Sequence, residues 1–162
     1  KYRTLIFGRR FVQKMKRTST YFPKPGEVTS KWRVIDATGQ TLGRVARDIS
    51  VALLGKDKTS YTPHVLTGDF VIVLNASNIR VTGKKMEQKL YYRHSGYVGN
   101  LKTFKLADIM KKRPERVIEL AVKGMLPKNH NGRQMLRRLK VYAGDTHPHQ
   151  AQVAANANEA EE

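Results

Sequence analysis

Five consecutive apolar residues, Phe70 to Leu74, constrain the fold of this chain more than any other feature. A strand that is apolar at every position must be covered on both faces, as in parallel sheets with helices above and below. Two patterns precede it: Trp32 to Ala37 alternates as a strand does, and Leu42 to Leu53 places apolar residues on one helix face. Gly55 stands where helices commonly end in the left-handed conformation. Strand, helix and buried strand in this order predict an α/β fold.

Further along the chain the periodicity is weaker, but it continues to about Tyr142. Pro114 suits the first turn of a helix, because the N–H that proline lacks has no partner there. We therefore predict strands at Ile79–Val81 and Leu90–Tyr92, helices at Leu106–Met110, Val117–Val122 and Arg133–Leu139, and a last extended segment at Lys140–Tyr142.

Composition divides the chain into three regions. Residues 1–31 form a basic N-terminal extension with nine cations and one acid, and near its end a Pro-Lys-Pro-Gly stretch is typical of an extended linker. Residues 32–144 form the α/β domain. Residues 145–162 form a polar C-terminal tail rich in Ala, Asn and Gln. We predict that this tail is disordered, because it has little apolar area to bury.

The charge of the chain indicates the class of partner. It has 31 Lys and Arg against 13 Asp and Glu, a net charge of +18 over 162 residues. A protein this basic repels itself as it compacts, and a nucleic acid would neutralise it. Between Gly83 and Tyr97 the cations interleave with aromatic residues, which is typical of RNA contact, since cations pair with phosphates and rings stack on bases. Residues 102–140 add twelve cations against three acids.

The sequence lacks the motifs of enzymes and of cofactor sites. Without cysteine there is neither a thiolate zinc site nor a cysteine nucleophile. The Gly-Lys pairs at Gly55 and Gly83 do not match a P-loop, because no glycine stands five residues upstream and no Ser or Thr follows the lysine. His147 and His149 lie in a segment without a carboxylate cluster. We therefore predict a protein that is not an enzyme and has no cofactor, no metal and no small-molecule substrate.

The sequence predicts no transmembrane segment. The longest apolar run is far shorter than the roughly 20 residues that span a bilayer. Phe7, Phe11 and Met15 are spaced four apart in the basic extension, so an organelle-targeting segment or a membrane-surface helix is an alternative there. Anionic lipid would not account for the cations of the domain, and we predict no membrane partner.

A series of short motifs runs through the domain and covers nearly all of Trp32 to Gln152. The series comprises Trp32-Arg-Val-Ile-Asp-Ala37, Leu42-Gly-Arg-Val-Ala46, Tyr61-Thr-Pro-His64, Thr82-Gly-Lys-Lys85, Tyr91-Tyr-Arg-His-Ser-Gly96, Val122-Lys-Gly-Met-Leu-Pro127 and Val141-Tyr-Ala-Gly144. On these motifs the chain resembles the universal large-subunit ribosomal protein thirteen family in its bacterial form.

The resemblance implies a three-layer α/β/α domain on a mostly parallel four-stranded sheet. It also implies binding to large-subunit rRNA, entry early in ribosome assembly, and a backbone or packing role for residues 124–127. Residues 1–31 depart from the family core, so they could enter rRNA crevices, pack on a neighbouring ribosomal protein, or do both.

The predicted function is that of a structural constituent of the large ribosomal subunit, with large-subunit rRNA and neighbouring ribosomal proteins as partners. The predicted location is the cytoplasmic ribosome, with an organellar ribosome as the alternative. An RNA-binding regulator that acts off the ribosome and a nucleotide-dependent enzyme are the competing functions. The predicted rRNA contacts are Arg3, Arg9, Arg10, Lys14, Lys16, Arg17, Arg44, Lys84, Lys85, Lys89, Tyr92, Arg93, His94, Lys112, Arg113, Lys123, Lys128, Arg133, Arg137, Arg138 and His147.

Overall fold

Strand β2 (Phe70–Leu74) is the central strand of a three-stranded parallel sheet, in a computed structural model that describes residues 21–24 and 26–158. Its neighbours are β1 (Trp32–Asp36) and β5 (Leu139–Val141). The register places Val34 opposite Ile72 and Ile72 opposite Lys140. The predicted buried strand is confirmed, since its three middle residues are fully buried.

Helices and a separate hairpin complete the domain. Gly55 ends the first helix with a φ of 73°, the left-handed conformation that the sequence predicts. The elements are α1 (Leu42–Leu54), a 3₁₀ turn (Ala76–Asn78), α2 (Lys85–Gln88), β3 (Leu90–His94), β4 (Leu101–Lys105), α3 (Leu106–Lys112), α4 (Pro114–Met125), α5 (His130–Arg137) and α6 (Gln150–Asn158).

The main core lies on one face of the sheet. Alternate residues of a strand point to opposite faces, so Val71 and Val73 share one face. They belong to one buried apolar cluster with Ile49 of α1, Ile118 of α4 and Met135 of α5. Helices α1, α4 and α5 therefore cover this face of the sheet.

The other face is covered in part by the C-terminal tail. Trp32 and Phe70 are register partners, and their rings stack with centroids 4.5 Å apart. His149 lies against the same indole, with a centroid distance of 5.2 Å. Tyr142 adds a contact with the His149 ring at 6.2 Å, and helix α6 follows directly. This cluster of aromatic and imidazole rings attaches the tail to β1.

Three predictions about the fold need correction. The sheet has three strands among the described residues, so the four-stranded sheet is not confirmed. The strand predicted at Ile79–Val81 is reduced to a single parallel bridge between Thr41 and Arg80, because both of its backbone hydrogen bonds, to the Gln40 carbonyl (2.8 Å) and from the Leu42 N–H (2.9 Å), are made by Arg80. The predicted disorder of the tail is wrong for residues 150–158, which form α6, because the ring cluster holds the residues just before this alanine-rich segment.

A buried carboxylate attaches the start of β1 to the rest of the domain. Asp69 is fully buried and accepts hydrogen bonds from the backbone N–H of Lys31 (3.0 Å), from Arg33 Nε (2.8 Å) and from Lys58 Nζ. Lys58 Nζ also donates to the carbonyl oxygen of Thr29 at 2.9 Å. Burial alone would raise the pKa of Asp69, but the bonds from Lys58 and Lys31 and the charges of Lys58 and Arg33 outweigh it and lower the pKa. The segment 29–33 is therefore fixed to this carboxylate.

Across residues 21–24 and 26–158, no helix combines the length and the apolar content that crossing a membrane requires.

Candidate nucleic-acid interface

The antiparallel hairpin of β3 and β4 forms one wall of the candidate site. Tyr91 pairs with Phe104 and Arg93 pairs with Lys102, so these four residues share one face of the hairpin. The Leu106 N–H donates to the Lys89 carbonyl at 2.9 Å and closes the hairpin where α3 begins. Burial raises the pKa of Tyr91, whose ring is half-buried at this junction.

A groove of about 510 Å³ separates this hairpin from α3 and α4. Asp108 is the one acid among its lining residues, which otherwise carry positive charge or apolar surface. The cations that line it are Arg93, Lys112, Arg113, Arg116 and Lys123.

A second groove of about 540 Å³ lies between α4 and α5 and continues the first. Arg116, Leu120 and Lys123 stand four and three positions apart on α4, so they lie along one side of that helix. Lys123 lines both grooves, and Lys128 and Arg133 line the second. No acidic residue lines the second groove.

The start of α5 positions the cations of the second groove. Asn129 caps the helix by accepting a hydrogen bond from the Gly132 N–H at 2.8 Å. A Cβ on Gly132 would lie 1.8 Å from the Pro127 carbonyl oxygen, so this close approach requires glycine. By contrast, a Cβ on Gly124 would meet nothing within 4 Å, so the backbone requirement implied for the 124–127 motif is wrong at Gly124.

We call the seven cations of the two grooves the basic track: Arg93, Lys112, Arg113, Arg116, Lys123, Lys128 and Arg133. All seven are exposed, and within the described part of the chain none forms an ion pair with a carboxylate. Unpaired cations along a continuous groove can each displace a counterion from a nucleic-acid backbone. The arrangement is therefore suited to binding phosphates.

Six of these seven cations were predicted from the sequence, and the structure brings them together. Arg116 was missed, although its position seven residues before Lys123 places both on one side of α4. Lys85 and Lys89 instead line a neighbouring, mostly apolar recess beside α1, where Lys89 Nζ lies 5.6 Å from the ring centre of Tyr91. Lys84 precedes α2 directly.

The other predicted contacts lie away from the basic track or border it. Tyr92 borders the first groove and is exposed. His94 ends β3, and its Nδ1 accepts the Gly96 N–H at 3.0 Å. Arg44 is exposed on α1 and Arg137 is exposed on α5, outside the residues that line the grooves.

Two of the predicted rRNA contacts interact with other residues of the protein. Arg138 Nη1 donates to the Gly68 carbonyl and to Ser30 Oγ (3.3 Å), and burial lowers the pKa of this guanidinium, an effect that Asp69 partly offsets. His147 is half-buried, with its ring 6.5 Å from that of Tyr142, and its Nδ1 accepts the His149 N–H. These contacts give both residues a structural role.

The predicted contacts of the N-terminal extension, Arg3, Arg9, Arg10, Lys14, Lys16 and Arg17, lie outside the described residues. The described part of the extension approaches α5. The Phe22 ring lies 5.8 Å from the His64 ring, and Asn131 of α5 donates to the His64 carbonyl at 3.1 Å.

Within residues 21–24 and 26–158, no group of three or more His, Cys, Asp or Glu residues could hold a metal ion. Among the described residues, Asp69 and its ion-pair partners Arg33 and Lys58 form a cluster of charged groups that the sequence did not predict. Its carboxylate is surrounded by cations and hydrogen bonds that hold it ionised, which is the role of a structural anchor.

Comparison with protein families identifies the region that contains the sheet and the basic track. The family described as ribosomal protein L13 matches residues 30–148, which span both the sheet and the basic track. Residues 1–29 lie outside this match, in agreement with the predicted departure of the extension from the family core.

Curated relatives are similar over most of the chain. The large ribosomal subunit protein uL13 of Natranaerobius thermophilus is 59% identical over 83% of this chain and 94% of its own length. The corresponding protein of Methylococcus capsulatus is 56% identical over 82% of this chain and 94% of its own length, and that of Thermotoga maritima is 58% identical over 82% and 93%. The resemblance drawn from the sequence motifs is confirmed, as is the prediction that the chain is not an enzyme.

Proposed function

Because the chain belongs to the ribosomal protein L13 family, we propose that it is a structural constituent of the large ribosomal subunit that binds large-subunit rRNA. The observation that carries the proposal is the basic track, where seven unpaired cations line two grooves joined at Lys123. Phosphate contacts of this kind fix the position and orientation of a protein on RNA without reading sequence.

The rigid body of the domain supports a role in organising RNA. The hairpin, α4 and α5 carry the basic track, and the apolar cluster that includes Ile118 and Met135 fixes α4 and α5 on the sheet. Phosphates bound by these three elements would be held at distances that the protein sets. We propose that the chain in this way holds rRNA segments together and that it joins the subunit early in assembly.

The N-terminal extension adds a second basic surface to this proposal. It carries nine cations and one acid in residues 1–31, and Asp69 and Lys58 fix its last residues to the domain. We propose that the extension contacts rRNA or a neighbouring ribosomal protein. The proposed location is the ribosome of the bacterial cytoplasm, since the curated relatives named above come from bacteria.

Neutralising part of the basic track tests the proposal. Each phosphate contact contributes about 0.7 to 0.9 to the slope of log affinity against log salt concentration. The triple variant Arg116→Ala, Lys123→Ala, Arg133→Ala should therefore lower the slope for a large-subunit rRNA fragment by about 2 to 3. The matched control is Arg47→Ala, Lys56→Ala, Arg80→Ala, which removes the same charge from exposed positions outside the grooves.

The proposal fails if both triple variants change the slope equally, since the effect would then follow from net charge alone. Sedimentation at high salt distinguishes the two functions that remain possible for an RNA-binding protein. A resident constituent stays with purified large subunits, whereas an RNA-binding regulator that acts off the ribosome is released.

A further inference from the structure

The outer face of the β3–β4 hairpin is exposed over its whole length. The register pairs Leu90 with Lys105, Tyr92 with Thr103 and His94 with Leu101, and all six residues share the face opposite Tyr91 and Phe104. Every one of the six is exposed, whereas Tyr91 on the inner face is half-buried. The hairpin therefore contacts the body of the domain mainly through Tyr91, and no residue of its outer face is buried.

Large apolar and aromatic side chains occupy this uncovered face and the adjoining turn. Tyr92 is 64% exposed and Leu101 is 57% exposed, and in the turn Tyr97 is 78% exposed beside the fully exposed Val98. Several large exposed apolar side chains on one short hairpin and its turn usually mark an interaction site. A two-stranded hairpin is also marginally stable alone, so a partner on its outer face would stabilise it.

The charge around the patch indicates which class of molecule binds there. From Lys89 to Ala107 the chain has no acidic residue. Of its four cations, Lys105 lies on the outer face, Lys89 directly precedes β3, and Arg93 and Lys102 lie on the inner face of the same two strands. The occupant must therefore combine negative charge with flat apolar groups, which unpaired nucleotides do and which duplex RNA does not, because its bases are already stacked on one another.

We infer that the outer face of the hairpin and its turn bind unpaired nucleotides, with bases stacked on Tyr92 and Tyr97 and phosphates paired with the neighbouring cations. The inference rests on the proposed function and narrows it, since the basic track binds backbone whereas the hairpin selects single-stranded RNA. Tyr92 borders the first groove, so a strand can pass from the hairpin into the basic track.

Substitutions that keep apolar surface but remove the aromatic ring test the inference. The double variant Tyr92→Leu, Tyr97→Leu is compared with Tyr92→Phe, Tyr97→Phe, which keeps both rings. Both residues are exposed, so the fold of each variant should match that of the wild type by circular dichroism. The probes are a labelled 12-nucleotide oligouridine and a labelled 12-base-pair RNA duplex, each titrated with the full chain in about 50 mM salt, where phosphate contacts are strong.

A stacked base contributes roughly a 5- to 150-fold gain in affinity, so the leucine variant should bind oligouridine at least tenfold more weakly. The phenylalanine variant should stay within about threefold of the wild type, since every aromatic ring offers a π-face for stacking. Both variants should bind the duplex within about twofold of the wild type.

Two results overturn the inference and leave the proposed function intact. In one, the leucine variant keeps its oligouridine affinity while the wild type binds rRNA through the basic track. In the other, Tyr92→Asp blocks entry into large subunits but the leucine variant enters normally, which would indicate an apolar protein neighbour. A wild-type chain that binds neither probe nor rRNA contradicts the proposed function itself.

Discussion

The guanidinium of Arg138 lies over the ring of Phe70, with 5.1 Å between its central carbon and the ring centroid. The indole of Trp32 stacks on the same ring, with the two ring centroids 4.5 Å apart. Arg138 also donates to the Gly68 carbonyl and to Ser30 Oγ. One side chain from the end of α5 thus joins the start of β2 and the residue two positions before it to the segment that precedes β1.

Removing this guanidinium should destabilise the domain. A cation over an aromatic ring and a hydrogen bond each contribute about 1 kcal/mol, so Arg138→Gln should lower the free energy of unfolding by about 2 kcal/mol. The adjacent Arg137→Gln is the matched control, and as an exposed substitution it should change stability by less than about 0.5 kcal/mol. Urea denaturation measures both, and equal effects would contradict the structural role of Arg138.

The buried carboxylate of Asp69 should make stability depend on pH. Its pKa is lower in the folded protein than in the unfolded chain, so it contributes stability that is complete above the unfolded value and is lost as pH falls through the folded value. Asp69→Asn should cost about 3 kcal/mol at pH 7, the low end for a broken buried pair, because Arg33 and Lys58 are partly exposed.

Urea denaturation of the wild type and of Asp69→Asn between pH 7 and pH 3 checks this prediction. The difference in unfolding free energy should shrink as the solution becomes more acidic. Hydrogen bonds from Thr38 and Asn75 also lower the pKa of Asp36, which both proteins retain, so the difference between them isolates Asp69. A difference that stays constant over this range would be inconsistent with an ionised anchor.

Alanine at two glycines of the same region should act with opposite sign. Gly132→Ala forces a Cβ against the Pro127 carbonyl and should destabilise the domain by about 2 kcal/mol or more. Gly124→Ala meets open space within α4 and should stabilise it by about 0.4 to 1 kcal/mol, because alanine restricts the unfolded chain. Thermal unfolding distinguishes the two, and stabilisation by Gly132→Ala would show that α5 does not require this close approach.

Loss of the imidazole at position 149 should release the tail. His149 contacts both Trp32 and Tyr142, and each such ring contact contributes about 0.5 to 1.5 kcal/mol. His149→Ala should therefore speed amide hydrogen exchange in residues 150–155. His130→Ala removes an exposed imidazole from α5 and should leave exchange in the tail unchanged. Unchanged exchange in His149→Ala would mean that other contacts hold α6.

Local pattern predicted the elements whose apolar residues face one core. The stripe from Leu42 to Leu53 and the run from Phe70 to Leu74 each determine their own structure, and both predictions are confirmed. Strand β4 was missed because all of its residues are exposed, so its sequence shows no apolar face. Its strand conformation depends on pairing with β3.

The candidate site was predicted where cations cluster along the chain, and missed where partners come from distant segments. Composition identifies Lys123 and Arg133 as members of a basic region, but only the packing of α4 against α5 brings them to one groove. Arg138 lies in the same basic region of the sequence. Its side chain is nevertheless half-buried, because it contacts Gly68 and Phe70, about seventy positions earlier. No periodicity in a sequence reports such a distant partner.

The order of the residues along the chain affects when the Asp69 network can form during synthesis. All of the groups that donate to this carboxylate, on Lys31, Arg33 and Lys58, precede it in the sequence. A nascent polypeptide emerging from its N-terminus therefore carries every partner before the acid itself appears. The first half of the protein can neutralise its only fully buried charge among the described residues before the second half has been translated.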